Sequence, residues 1–119
     1  MGIANKRSIG FGVAKVLDQL GAKLVFTYRK ERSRKELEKL VDQLNQKEHH
    51  IFQIDVQNDE DVINGFSKIG DEVGHIDGVY HSIAFANMED LRGRFTETSR
   101  DGFLISTRHQ FIFINNCCT

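Results

Sequence analysis

Gly2-Ile3-Ala4-Asn5-Lys6-Arg7-Ser8-Ile9-Gly10 is the stretch that decides the fold of this 119-residue chain. A glycine-containing turn that opens a helix brings bare backbone N–H groups and the positive helix end to one point, which suits the pyrophosphate of a dinucleotide. Such a turn normally follows a buried β-strand, whereas only Met1 precedes it here. The pattern therefore predicts a dinucleotide-binding fold whose first strand is missing.

Helices alternate with short apolar strands after this turn, which predicts right-handed βαβ units and an α/β fold with a doubly wound, Rossmann-type parallel sheet. Ser8 is the expected N-cap of the first helix, and Gly21 is its expected stop. A strand is expected at 22–28, and Ser33 with Glu36 forms a capping box for a second helix. The remaining expected elements are a strand at 50–54, a helix opened by Asn58 and Asp61, and a strand at 76–84.

Helical spacing of apolar residues indicates which side chains face the core. His49 and His50, by contrast, are expected to form an exposed pair before a strand. The inward residues are expected to be Leu37, Leu40, Val41 and Leu44 in the second helix, and Val62, Ile63, Phe66, Ile69 and Val73 in the third.

The composition fits a globular domain: 39% of residues are hydrophobic and 28% are charged, with a formal net charge of −1. This balance favours neither nucleic acid nor an anionic membrane as a partner. No apolar run approaches the roughly 18 residues of a membrane span. Cys117 and Cys118 are adjacent, a poor disulfide pair that fits no metal spacing. A cytoplasmic protein without a metal is expected.

The carboxyl ends of the strands are where such sheets bind ligands. Arg29 and Lys30 follow the strand at 22–28, where basic residues accommodate the 2′-phosphate of NADPH; an isolated Arg-Lys pair is otherwise a solvated surface pair. Asp55 either accepts a hydrogen bond from adenine, with Val56 packing on the ring, or serves as a loop or capping aspartate. Small residues at 82–87 would let a nicotinamide ribose approach the backbone.

Four segments, Gly2–Ile9, Tyr28–Lys30, Asp55–Val56 and His81–Ala86, closely resemble the bacterial enoyl-acyl-carrier-protein reductases, a divergent group of short-chain dehydrogenases. The resemblance extends from Gly2 to about Leu104. It implies NADPH-dependent reduction of trans-2-enoyl thioesters on acyl carrier protein, in fatty-acid synthesis, by a homotetramer. NADPH is expected rather than NADH.

The resemblance also implies a role for individual residues. The tyrosine and lysine that are catalytic in the family would lie beyond the end of this chain, and Tyr28 and Tyr80 match other positions of the family. No catalytic residue is therefore expected here, and the chain is expected to be inactive. The implied contacts are Gly2, Ser8 and Ile9 with the pyrophosphate region; Arg29, Lys30, Arg32 and Ser33 with the 2′-phosphate; Asp55 and Val56 with adenine; Ile83 with the nicotinamide; and Ala86 with the acyl substrate.

The resemblance stops abruptly after Leu104. One possible coding sequence for 105–119, read one base later, encodes Leu-Ala-Gln-Asp-Ile-Ser-Ser-Tyr-Ser-Leu-Thr-Ile-Val-Ala, which resembles the family's next helix. We therefore expect residues 1–104 to be a partial dinucleotide-binding domain, residues 105–119 to be an out-of-frame tail, and the fragment not to form the family's tetramer. The alternative is a non-catalytic nucleotide-binding module of short-chain dehydrogenase descent.

Overall fold

A computed structural model describes residues 2–3, 5–46 and 48–107. Two strands form a parallel sheet in which Val25 lies opposite His50 and Tyr28 opposite Gln53. The α/β class with a parallel sheet is thereby confirmed. The elements are α1 (Ile9–Gln19), β1 (Val25–Tyr28), α2 (Glu31–Val41), β2 (His50–Gln53), α3 (Asp59–Val73), a short 3-10 helix (Phe95–Glu97) and α4 (Arg100–Thr107).

Helix α1 begins and ends where the sequence predicts. The Ser8 hydroxyl oxygen accepts a hydrogen bond from the Phe11 N–H at 3.3 Å, which satisfies a donor that the helix cannot pair internally. Gly21 adopts a φ of +85°, and its N–H donates to the Asp18 carbonyl at 3.0 Å. Since a side chain disfavours this left-handed conformation, glycine ends the helix at low cost.

Helix α2 begins earlier than predicted, so the capping box of Ser33 and Glu36 is wrong. Lys30 is the N-cap and makes no side-chain capping bond, whereas Ser33 lies inside the first turn. The carboxylate of Glu31 accepts a hydrogen bond from the Tyr28 hydroxyl at 3.2 Å and lies 3.5 Å from Arg34. These contacts of Glu31 favour a helix α2 that begins directly after β1 and not at the capping pattern of Ser33 and Glu36.

The strands are shorter than predicted. Only 25–28 of the first predicted strand pairs, and 76–84 contains no strand. A strand needs a hydrogen-bonded neighbour, and in the part of the chain that the structure describes β1 pairs with β2 alone. A cleft of about 830 Å³, lined by residues of α1, β1, α3 and the segment 75–80, lies beside β1.

Two apolar clusters pack against the sheet. Phe26 belongs to one cluster, whereas its neighbour Val25 packs against the other, because successive side chains of a strand point to opposite faces. Ile63, predicted to face inward, is 64% exposed. The buried members are Phe11, Ala14, Phe26, Leu37, Leu40 and Leu44 in the first cluster, and Ile54, Val62 and Ile69 in the second.

The side chain of His49 is buried, contrary to the predicted exposed pair. Its ring lies 3.1 Å from Asp18 through Nε2, and its Nδ1 accepts the Leu24 N–H at 3.1 Å. Asp18 also accepts the backbone N–H groups of Asn45 and Gln46. Burial alone would raise the pKa of Asp18, but these hydrogen bonds and His49 outweigh it and lower the pKa below its usual value.

Candidate nucleotide-binding site

The carboxyl ends of β1 and β2 bring Arg29 and Asp55 together. Because Tyr28 lies opposite Gln53, the residues that follow each strand emerge side by side. The Arg29 Nε lies 3.1 Å from the Asp55 carboxylate, and its Nη2 donates to the Gln57 side-chain oxygen at 2.6 Å. The sequence predicts Arg29 and Asp55 as members of the site but not Gln57. The one feature of the sequence that points to Gln57 is its place two residues after Asp55.

The first turn of α2 carries the other residues predicted at the 2′-phosphate. Lys30 is the N-cap, and Arg32 and Ser33 lie in the exposed first turn. Unpaired N–H groups and the helix dipole make such a turn favourable for an anion. Glu31 in the same turn accepts a hydrogen bond from the Tyr28 hydroxyl. The pKa of this hydroxyl is raised, first by burial and then by the hydrogen bond to Glu31 and the charge of Glu31.

The opening turn contacts the segment that follows residue 81. Gly2 has a φ of +86°, and a Cβ placed there would overlap the Ser82 carbonyl oxygen. A Cβ on Gly10 would lie 3.5 Å from the Ser82 hydroxyl oxygen. Gly2 therefore allows a close approach between the turn and Ser82–Ile83, whereas a Cβ at Gly10 would make an ordinary van der Waals contact with Ser82. Ala4, in the middle of the turn, lies outside the described residues.

The remaining predicted residues lie around these two groups. Ser8 caps α1, and Ile9, the first residue of the helix, is 77% exposed. Val56 packs against the apolar cluster that contains Ile54. Ile83 and Ala86 are half-buried.

The loop that carries Asp55 is held from α3. The Asp55 N–H donates to the Asp61 carboxylate at 2.5 Å, and Asn58 accepts the N–H groups of Glu60 and Asp61 as the predicted N-cap. The Asp55 carboxylate in turn accepts the Gln57 N–H at 3.0 Å. The loop is therefore fixed on both sides of its acidic residue.

The described ranges also bear on two other classes of site. No group of three or more His, Cys, Asp or Glu side chains among them is arranged to hold a metal ion. None of the helices there has the length and apolar character needed to cross a membrane.

Comparison with protein families matches residues 2–112 to the family described as enoyl-(acyl carrier protein) reductase. The chain belongs to this family. It is 83% identical over 106 residues to the enoyl-[acyl-carrier-protein] reductase [NADPH] FabI of Staphylococcus aureus, and 50% identical over 106 residues to the enoyl-[acyl-carrier-protein] reductase [NADH] FabI of Bacillus cereus. Each match covers 89% of this chain and 41% of the relative, so the chain spans less than half the length of these relatives.

Solved structures give the same family. The Bacillus cereus enoyl-acyl carrier protein reductase with NADP+ and indole naphthyridinone superposes with a TM-score of 0.89 at 46% identity, over 98% of this chain and 45% of that one. The enoyl-[acyl-carrier-protein] reductase (NADH) of Aquifex aeolicus gives a TM-score of 0.85 at 32% identity, over 97% of this chain and 44% of that one. These similarities confirm the predicted family and its Rossmann-type fold.

Proposed function

We propose that the chain is the NADPH-binding part of an enoyl-acyl-carrier-protein reductase of fatty-acid synthesis. The observation that carries the proposal is the position of Arg29 between the carboxyl ends of β1 and β2, in contact with Asp55 and Gln57. A fixed guanidinium at this edge, next to the N-terminus of α2, suits a phosphate on the adenosine ribose. The cytoplasm is the proposed site of action.

The residues present fit a dinucleotide. Gly2 and Gly10 add no side chain beside the first turn of α1, whose N–H groups and positive helix end suit a pyrophosphate. When bound, the dinucleotide would supply the hydride that reduces a trans-2-enoyl thioester of acyl carrier protein. The residues proposed to hold it are Gly2, Ser8 and Ile9 at the pyrophosphate, Arg29, Lys30, Arg32 and Ser33 at the 2′-phosphate, Asp55 and Val56 at the adenine, and Ile83 at the nicotinamide, with Ala86 lining the acyl pocket.

NADPH is proposed over NADH because of local charge. Relatives named for each cofactor match this chain, so family membership alone does not decide between the two. Arg29 and Lys30 add two positive charges at the end of β1; Asp55 compensates one of them, and the nearby Glu31 lies 3.5 Å from a further cation, Arg34. A hydrogen bond to a charged group contributes about 1.5–3 kcal/mol, which corresponds to a preference of at least roughly tenfold.

We propose further that these 119 residues bind nucleotide without reducing a thioester. Tyr28 is a poor proton donor, since its hydroxyl is held by Glu31 and its pKa is raised. The chain also spans only 41% of its curated relatives. A non-catalytic nucleotide-binding module is the second candidate, and the same cofactor site supports it.

Mixing the chain with NADPH and a crotonyl thioester should give no oxidation of NADPH above the buffer rate; turnover that scales with protein would contradict inactivity.

Calorimetric titration of the chain with NADPH and with NADH tests cofactor choice. We expect NADPH to bind at least about tenfold more tightly. The double variant Arg29→Gln/Lys30→Gln should lose this preference. Lys35→Gln/Lys39→Gln, which removes the same net charge from exposed positions of α2, should keep it. Equal affinities in the unsubstituted chain, or equal losses in both double variants, would contradict the proposal.

A further inference from the structure

The guanidinium of Arg29 is held along one edge. Its Nε lies 3.1 Å from Oδ2 of Asp55, and its Nη2 lies 2.6 Å from Oε1 of Gln57. A guanidinium carries five N–H groups in a planar fork, so these two acceptors occupy the edge formed by Nε and Nη2. The opposite edge, formed by Nη1 and the second hydrogen of Nη2, is the one that can pair with a phosphate through two parallel bonds.

Gln57 is itself fixed in place. Its N–H donates to Oδ1 of Asp55 at 3.0 Å, so the backbone and side chain of one residue contact both partners of the ion pair. The carbonyl of Arg29 accepts a hydrogen bond from Gln53 at 3.1 Å. Backbone and side chain of Arg29 are thus both held from the β2 side of the sheet.

The chemistry of an amide suits this position. Its oxygen accepts a hydrogen bond from the guanidinium but carries no charge, so it orients Arg29 without cancelling the charge that a phosphate would meet. Asp55 already supplies one negative charge to the same group. A side chain as long as arginine loses considerable rotamer freedom when it binds, and holding it beforehand reduces that cost.

We propose that Gln57 is a positioning residue for 2′-phosphate recognition, because its side-chain oxygen turns the opposite edge of the Arg29 guanidinium toward the ligand. This inference rests on the proposed function. Gln57 touches the arginine and not the reacting atoms, so its removal should affect affinity for nucleotides that carry a 2′-phosphate and no others.

The test compares 2′,5′-ADP with 5′-AMP by titration calorimetry on the full chain. In Gln57→Leu, which keeps a branched side chain but removes the acceptor, we expect 2′,5′-ADP to bind about 3- to 10-fold more weakly. The affinity for 5′-AMP should stay within about twofold. The matched control is Gln43→Leu, at an exposed glutamine beyond the far end of α2 whose side-chain amide donates to the Lys39 carbonyl at 2.9 Å.

A second variant separates orientation from charge. Gln57→Glu keeps an acceptor for Arg29 but adds a negative charge, so it should also weaken 2′,5′-ADP binding, and high salt should diminish its defect relative to that of Gln57→Leu. Since Gln57 is exposed, both variants should have the same melting temperature as the unsubstituted chain.

The outcomes distinguish the two proposals. An unsubstituted chain that binds 2′,5′-ADP no more tightly than 5′-AMP contradicts the proposed function and this inference with it. An unsubstituted chain that discriminates, together with a Gln57→Leu variant that discriminates equally well, contradicts the inference alone. Equal weakening of both nucleotides in Gln57→Leu would assign Gln57 a merely structural role and also overturn it.

Discussion

Two glycines of α3 should respond in opposite ways to the same substitution. A Cβ on Gly65 would lie 2.5 Å from Cδ1 and 2.6 Å from Cγ1 of Ile54, whereas a Cβ on Gly70 would meet no atom within 4 Å. Alanine is favoured over glycine in a helix by about 1 kcal/mol. Overpacking a buried contact costs about 1–3 kcal/mol. We therefore expect Gly70→Ala to stabilise the chain by about 1 kcal/mol and Gly65→Ala to destabilise it by up to about 2 kcal/mol.

Thermal and urea denaturation measure this difference. A change of 1 kcal/mol shifts the melting temperature of a domain of this size by about 4 °C, so the two variants should fall on opposite sides of the unsubstituted chain. Ile54→Val removes Cδ1, the nearest atom, and should reduce the cost of Gly65→Ala in a double-mutant cycle. Equal stabilisation by both glycine substitutions would refute the argument that Ile54 lacks room to move.

The same pair connects packing with binding. Ile54 immediately precedes Asp55, so a displacement of Ile54 shifts the loop that holds Arg29. Gly65→Ala should therefore weaken NADPH binding by a few fold, and Gly70→Ala should leave it unchanged. Calorimetric titration below the melting temperature of both variants separates this effect from loss of fold.

Two further predictions follow from other contacts. Asp18→Asn should lower the melting temperature at neutral pH. Because folding lowers the pKa of Asp18 from 3.8, the stability that its carboxylate contributes is present above that value and is lost as the pH falls through the lower folded pKa. The melting curves of the variant and the unsubstituted chain should therefore converge in acid, and curves that stay apart would contradict the argument. Gly2→Ala should weaken NADPH and NADH binding equally, since a side chain there would overlap Ser82, while Gly78→Ala, which meets no atom, should have no effect; unchanged affinities in Gly2→Ala would exclude this close approach.

Local signals predicted the parts of the fold that depend on local contacts. Ser8, Gly21 and Asn58 act within one turn of their own helices, and all three cap as expected. Ser33 carries the same kind of signal, but α2 begins before it because the contacts of Glu31 join the end of β1 to the helix. A capping pattern does not reveal such competing side-chain contacts.

Tertiary contacts decided the rest. His49 looked like an exposed residue because its partners, Asp18 and the Leu24 N–H, are more than twenty positions away in sequence. The segment 76–84 has the composition of a strand, but a strand also needs a neighbour to pair with. In the site, the charges of Arg29 and Asp55 were predicted, whereas the role of Gln57 depends on a distance that no motif encodes.

Because Arg29 and Asp55 follow different strands, a nucleotide that contacts both residues would bind only when β1 and β2 are paired in the correct register. Each strand of the described sheet has only four residues, so its ladder offers few hydrogen bonds to resist slippage. A slip of one residue would move Asp55 about 3.3 Å along the sheet and away from Arg29. A ligand that requires both loops can bind only the correctly aligned pair, so cofactor in the surrounding solution would favour correct folding as well as occupy the site.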